Sequence, residues 1–154
     1  MSLKKLNLVL ENIEAHIENH NVSSQKISNG GVAWHIDHSL KVINKVTASI
    51  QTSEPNSYKN NFSFLGKVFF KLGFFPRGKA KAPKYVKPPE VILKEDLISQ
   101  TELAKANVKT IASLDENAYF KHPLFGNINC TRVYRFLLLH TNHHLKIIND
   151  IMAK

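Results

Sequence analysis

The stretch Phe136-Leu-Leu-Leu-His-Thr-Asn-His-His-Leu-Lys-Ile-Ile148 lies near the C-terminus and has the pattern of one amphipathic helix. Apolar and histidine side chains alternate at spacings of three and four residues, which places them on one helix face: Val133, Leu137, His140, His144, Ile147 and Ile151. Residues four apart are neighbours on a helix, so the imidazoles of His140 and His144 can converge on one point. Neutral imidazoles directed inwards are suitable ligands for a divalent metal. The pattern predicts a metal site inside a helical fold.

Three further stretches have the same helical period. They are predicted to form helices from Leu3 to about residue 20, from Val32 to about residue 51, and from Glu95 to Leu114. Residues 61–75 are rich in phenylalanine and are predicted to form a short helix or an irregular packed segment. Alternating strand patterns are not evident, and the segment 118–129 is predicted to be a connection. We therefore predict an all-α protein, a four-helix bundle forming a single domain over residues 1–154, with a long basic loop between helices two and three.

The positive charge of the chain is concentrated in that loop region. The formal net charge is +9, and eight basic residues with no acidic residue lie between Pro55 and Pro89: Lys59, Lys67, Lys71, Arg77, Lys79, Lys81, Lys84 and Lys87. The rest of the chain is nearly neutral, with 13 basic and 12 acidic residues. A local basic patch indicates a site or a solvated loop rather than general nucleic-acid binding.

The remaining composition predicts a cytoplasmic protein without a membrane partner. No apolar run reaches the roughly 18 residues that a transmembrane helix needs, and the first residues lack the pattern of a signal peptide. The only cysteine, Cys130, excludes an internal disulfide and is typical of a reducing compartment. We also expect a homodimer as one possible assembly, with His16 and His20 as surface or dimer-contact residues.

Two histidines of helix two are candidates for the third metal ligand. His35 and His38 lie in Trp34-His-Ile-Asp-His-Ser-Leu40 and flank the apolar stripe of that helix. Angular position slightly favours His35, but periodicity alone does not choose between the two. His143 points towards the edge of the apolar face of the last helix, where an exposed histidine or one behind the ligands is expected.

These residues resemble the DinB/YfiT-like family of small metal-binding four-helix bundles. The resemblance rests on Trp34-His-Ile-Asp-His-Ser-Leu40 and on His140-Thr-Asn-His-His144, and it implies the ligands His38, His140 and His144, with His35 as the alternate. The segments 75–83 and 122–126 look similar to those of a branch of the family known only as a domain of unknown function. The resemblance further implies a thiol transferase that uses a low-molecular-weight thiol, or a metal-dependent hydrolase.

A three-histidine zinc or nickel site has open positions at which a water or thiol becomes a nucleophile. Four basic residues, Arg77, Lys79, Lys81 and Lys84, are predicted to lie near its mouth and to attract an anionic small-molecule substrate; a solvated loop is the alternative. A different class of function is a non-enzymatic module in which residues 59–87 bind nucleic acid or another anionic partner. Nucleic acid is disfavoured, because most phenylalanines of this segment are better accommodated in the core.

Overall fold

A computed structural model describes residues 3–78 and 81–154 of the chain. The described residues form five α-helices and one β-hairpin. The helices are α1 (Leu3–Ala15), α2 (Val32–Gln51), α3 (Phe64–Leu72), α4 (Lys94–Thr110) and α5 (Cys130–Met152), and the strands are β1 (Tyr119–His122) and β2 (Gly126–Asn129). No helix among these described residues is both long and apolar enough to cross a membrane.

The four long helices share one core. Each of α1 and α2 packs against both α4 and α5. Their apolar stripes supply the fully buried side chains Leu6, Leu10 and Ile13 in α1, Ile36, Leu40 and Ile43 in α2, Leu97 and Val108 in α4, and Leu137, Ile148 and Ile151 in α5. Burying one leucine or isoleucine contributes roughly 1.5–3 kcal/mol, so the periodicity of the sequence directly determines which helix faces meet.

The prediction of an all-α four-helix bundle is wrong in two respects. α3 is a fifth helix, which the count of four leaves out; it lies in the segment 61–75, where a short helix was one of two alternatives. Residues 119–129 form a two-stranded antiparallel sheet instead of the predicted connection. The strands are only four residues long, which is too short for alternation to stand out in the sequence. Within the predicted extended loop, Lys84–Val86 also forms a 3-10 turn.

The hairpin is anchored to the segment that precedes α3. The strands pair from Tyr119 with Asn129 to His122 with Gly126. Gly126 has a φ of +75°, and a Cβ at this position would lie 2.5 Å from the backbone oxygen of Asn61. Only glycine fits this close approach and this backbone conformation. The hairpin therefore fixes the chain at the start of α5, where the Cys130 N–H donates to the Ala118 carbonyl.

The first and last residues of the segment 75–86 each accept a hydrogen bond from a histidine of a long helix. The Phe75 carbonyl oxygen lies 3.0 Å from Nδ1 of His143 on α5. The Val86 carbonyl oxygen lies 2.9 Å from Nδ1 of His38 on α2, and the Val86 side chain is buried. The basic segment therefore runs from α5 to α2, the two helices that carry the predicted metal ligands.

Candidate metal centre

Three histidines from two adjacent helices converge in the structure. His38 lies on α2, and His140 and His144 lie one turn apart on α5. One ligand atom from each of the three lies within 4.8 Å of the others, so the group can hold a metal ion. His38 and His144 are buried, and His140 is half-buried. The structure thus brings together the three residues that the resemblance implies as ligands; which metal, if any, they bind stays a prediction.

His38 presents an unprotonated nitrogen to His140. The Val86 carbonyl can only accept a hydrogen bond, so Nδ1 of His38, 2.9 Å away, carries the proton. Nε2 of His38 therefore has a free lone pair, and it lies 3.2 Å from Nε2 of His140. Two nitrogens that share a tetrahedral zinc ion, with bonds of about 2.0–2.1 Å, are separated by about 3.3 Å. The spacing of this pair suits one shared ion, and it equally suits a hydrogen bond that Nε2–H of His140 donates to His38.

His35 lies behind His144. Its Nδ1 is 2.9 Å from Nδ1 of His144, and its Nε2 is 3.0 Å from Oγ of Ser28, which also accepts from the backbone N–H of Gly30. Two sets of tautomers satisfy all three contacts. In one, His144 donates from Nδ1 to His35, and His35 donates from Nε2 to Ser28; in the other, the Ser28 hydroxyl donates to Nε2 of His35, and His35 donates from Nδ1 to His144. The first set leaves Nε2 of His144 unprotonated, as a metal ligand at that atom requires. The alternate ligand His35 is therefore placed as a hydrogen-bond partner that orients His144.

Burial keeps the clustered histidines neutral. Burial lowers the pKa of His35 to about 4 and lowers the pKa values of His140 and His144 well below 6.5. Burial also lowers the pKa of His38, although the hydrogen bond to Val86 opposes this effect. A neutral imidazole has the free lone pair that a metal requires, so no proton has to be displaced from these ligands at neutral pH.

His140 has an unmet polar requirement. Its Nδ1 is buried and has no hydrogen-bond partner among the described residues. A buried polar atom without a partner costs about 1–3 kcal/mol, and such an atom in a folded protein is often satisfied by a water or an ion. This Nδ1 points away from the Nε2 atom that faces His38, so an ion bound at Nε2 would not satisfy it.

Aromatic rings hold two of the imidazoles in place. Trp34 stacks on His38 with ring centroids 5.1 Å apart, and Phe136 stacks on His140 at 5.9 Å. Stacking restricts rotation of the imidazole planes and removes water from one side of each ring. Electrostatic interactions in the site are stronger for this reason, because they act in a medium of low dielectric constant.

The other histidines have structural partners outside the trio. His143, on the edge of α5, donates from Nδ1 to the Phe75 carbonyl. Nδ1 of His122 accepts hydrogen bonds from backbone N–H groups of the hairpin turn. His16 and His20 flank the 3-10 turn Ile17–Asn19 that follows α1, and Nδ1 of His20 donates to the Ile17 carbonyl.

The predicted substrate-binding residues are only partly described. Lys79 lies outside the described residues. Lys81 and Lys84 are exposed. Arg77 forms an ion pair with Asp150 at 2.7 Å, and both side chains are about half exposed. Arg77 lines the same cavity as His143, whose ring is 4.9 Å from the ring of His144, so Arg77 lies on the side of the fold that carries the cluster.

Two groups that form hydrogen bonds with the clustered histidines were not predicted from the sequence. The Val86 carbonyl is a backbone group and leaves no mark in the residue pattern. Ser28 precedes Asn29-Gly-Gly31, a sequence typical of a turn, and this turn returns Ser28 to the first turn of α2. The turn signal and the proximity of His35 in sequence could have indicated this contact.

No protein-family model, curated protein or solved structure matches this chain.

Proposed function

We propose that the protein binds a divalent metal ion, zinc or nickel, through His38, His140 and His144, and that it is a metal-dependent enzyme that activates a thiol or a water. The observation that carries this proposal is the convergence of three neutral imidazoles within 4.8 Å. Histidines alone make up the group, which favours borderline-soft metals over magnesium or calcium. A divalent ion with open positions lowers the pKa of a bound water or thiol and thereby supplies a nucleophile near neutral pH.

The chain itself organises the ligands. Val86 fixes the tautomer of His38 through its carbonyl, and His35, which contacts Ser28, can accept the Nδ1 proton of His144. In this set of tautomers, Nε2 of both ligands is free to bind one ion. Such preorganisation raises metal affinity, because the rings need not rotate or lose a proton on binding.

We further propose that the basic segment selects an anionic cosubstrate, such as a thiol that carries a carboxylate. This is supported by the hydrogen bond from His38 to Val86, which holds the end of the segment against the site two residues after Lys84. Near its start, a cavity of about 270 Å³ is lined by residues that include Arg77, His143 and Lys146. The ring of His143 is 4.9 Å from that of His144, so this cavity is one imidazole away from the trio.

Membership of the DinB/YfiT-like family is part of the proposal. It is supported by the two histidine motifs on adjacent helices and by the meeting of His38 with His140 and His144. The thiol transferase and hydrolase activities that the resemblance implies are two candidate reactions for the same site. A non-enzymatic role in nucleic-acid binding has less support, because Phe62, Phe69, Phe70 and Phe75 pack against the core and are not available for stacking on bases.

Cobalt substitution distinguishes the two reactions. The protein is stripped with a chelator, loaded with Co²⁺, and mixed with mercaptoethanol or mercaptoacetate while the absorption spectrum is recorded. A thiol-activating site should give a new sulfur-to-cobalt charge-transfer band, and mercaptoacetate should bind more tightly than neutral mercaptoethanol. A cobalt site without such a band would refute the thiol reaction and leave hydrolysis. The His144→Ala variant should show no band with either thiol.

A further inference from the structure

The outward face of α3 exposes large apolar side chains. The exposed fractions are 81% for Phe64, 43% for Leu65 and 57% for Leu72, and Phe74 directly after the helix is 48% exposed. Positions 64 and 72 are two turns apart and position 65 is adjacent, so these side chains share one helix face. Scattered apolar residues are ordinary on a protein surface, whereas a contiguous apolar face is typical of an interaction site.

The opposite face of α3 is firmly attached to the protein. Phe69 and Phe70 pack against Phe125, and Gly66 allows the helix to approach Phe62 closely, because a Cβ there would lie 2.7 Å from the ring. Arg135 of α5 donates to the Phe70 carbonyl at 2.7 Å. The exposed face is therefore presented on a fixed helix and does not depend on a mobile loop.

Positive charge borders the apolar face. Lys67 and Lys71 are exposed and are spaced by one turn along one side of it. No acidic residue occurs between Pro55 and Pro89, so the surrounding segment contributes only positive charge. An apolar face flanked by lysines is the pattern of a helix that lies in the interface of a membrane.

We propose that this face docks reversibly on the surface of an anionic lipid bilayer. Phe64, Leu65 and Leu72 enter the boundary between head groups and acyl chains, and Lys67 and Lys71 contact the lipid phosphates. The helix lies parallel to the membrane and does not span it. This proposal departs from our sequence prediction of no membrane partner, which rested on the lack of a transmembrane segment, and it does not depend on the metal site.

The other occupants fit this face less well. In a symmetric contact between two copies, Lys67 and Lys71 would face the same lysines with no acidic residue of the segment to compensate them. A helix of nine residues is about 14 Å long, which is too short to supply by itself the roughly 800 Å² per partner of a stable interface. A nucleic acid would stack on flat rings, but leucines form much of this face.

Vesicle binding tests the proposal with the full-length protein. Binding is measured by co-sedimentation with vesicles of phosphatidylcholine alone and of phosphatidylcholine with 30% phosphatidylglycerol. We expect binding to the anionic vesicles that weakens at high salt. Phe64→Ser with Leu72→Ser should weaken it at least about tenfold, and Lys67→Glu with Lys71→Glu should weaken it at least about thirtyfold.

Matched controls carry the same chemical changes elsewhere on the surface. Leu8→Ser with Leu103→Ser alters two residues of similar exposure on α1 and α4, and Lys45→Glu with Lys109→Glu makes the same change in net charge. Both controls should bind nearly as well as the wild type, and circular dichroism should show that all variants are folded. Absence of binding to anionic vesicles would overturn the proposal. Equal weakening by the controls, or equal binding to neutral vesicles, would also overturn it. The proposal would also be overturned if the protein bound single-stranded DNA through the α3 residues and did not bind vesicles.

Discussion

Replacing His35 tests how the proposed metal site is organised. In the structure, His35 connects Nδ1 of the ligand His144 to Oγ of Ser28 through contacts of 2.9 and 3.0 Å. Leucine at position 35 keeps the apolar volume but cannot accept the hydrogen bond from His144. Glutamine retains an acceptor and a donor on one side chain, so it can replace both contacts in part.

The expected effect is on metal affinity and not on stoichiometry. Loss of the partner that orients a ligating histidine typically weakens metal binding 10- to 100-fold, which corresponds to about 1.4–2.8 kcal/mol. We therefore expect His35→Leu to bind one ion with an affinity lower by about that factor, and His35→Gln to recover part of the loss. The assay is competition for zinc with a chromophoric chelator at pH 7.5, with His143→Ala as the control for altering a neighbouring histidine.

Two results would refute the reasoning. An affinity for zinc that is unchanged in His35→Leu would mean that His144 needs no partner at Nδ1. Complete loss of the ion, as in a variant that lacks His144, would mean that His35 is itself a ligand. The second result would restore the alternate ligand set that angular position in the sequence slightly favours.

Burial lowers the pKa of His122 to about 4, so between pH 6.5 and pH 4 the unfolded chain binds a proton at this residue and the folded chain does not. Neutral His122 should contribute about 2–3 kcal/mol to the free energy of unfolding above pH 6.5, and this contribution should be lost as the pH falls to 4. Urea unfolding of the metal-free protein at several pH values measures this loss, and the free energy of unfolding of His122→Gln should depend less steeply on pH. Gly126→Ala should reduce the free energy of unfolding by at least about 2 kcal/mol, because its Cβ would meet a backbone oxygen at 2.5 Å and its φ is +75°; equal midpoints in urea would contradict this. Replacing Arg77, Lys81 and Lys84 together by glutamine should raise KM for a carboxylate-bearing thiol and leave KM for a neutral thiol unchanged. An equal change in KM for both substrates would exclude a charge-selective role.

The long helices could be predicted from sequence, because each buries one face in a shared core. Stripes such as Leu6, Leu10 and Ile13 have the period of a helix, and the structure buries them completely. The hairpin could not be predicted in the same way, and for α3 the sequence left a short helix and an irregular segment as alternatives. Each strand has only four residues. α3 contains Gly66, and glycine ordinarily disfavours a helix. A glycine is needed at this position because the helix packs closely against Phe62, a tertiary contact that the local sequence does not reveal.

The candidate site was predictable to the extent that it depends on helix geometry. The spacing of His140 and His144 sufficed to place both imidazoles on one inner face. Helix geometry could not predict which of His35 and His38 is the third ligand, because both lie on the same side of α2 and both are buried. Their different positions follow from contacts with distant segments, Ser28 for His35 and Val86 for His38.

Metal content is the most direct test of the central claim, that His38, His140 and His144 bind one divalent ion. Elemental analysis is made on protein purified without a histidine tag, for the wild type, for His140→Ala with His144→Ala, and for His143→Ala as the control. The account predicts about one zinc or nickel ion per chain in the wild type and in the control, and none in the double variant. A wild-type protein that remains free of metal after incubation with zinc and with nickel would contradict it.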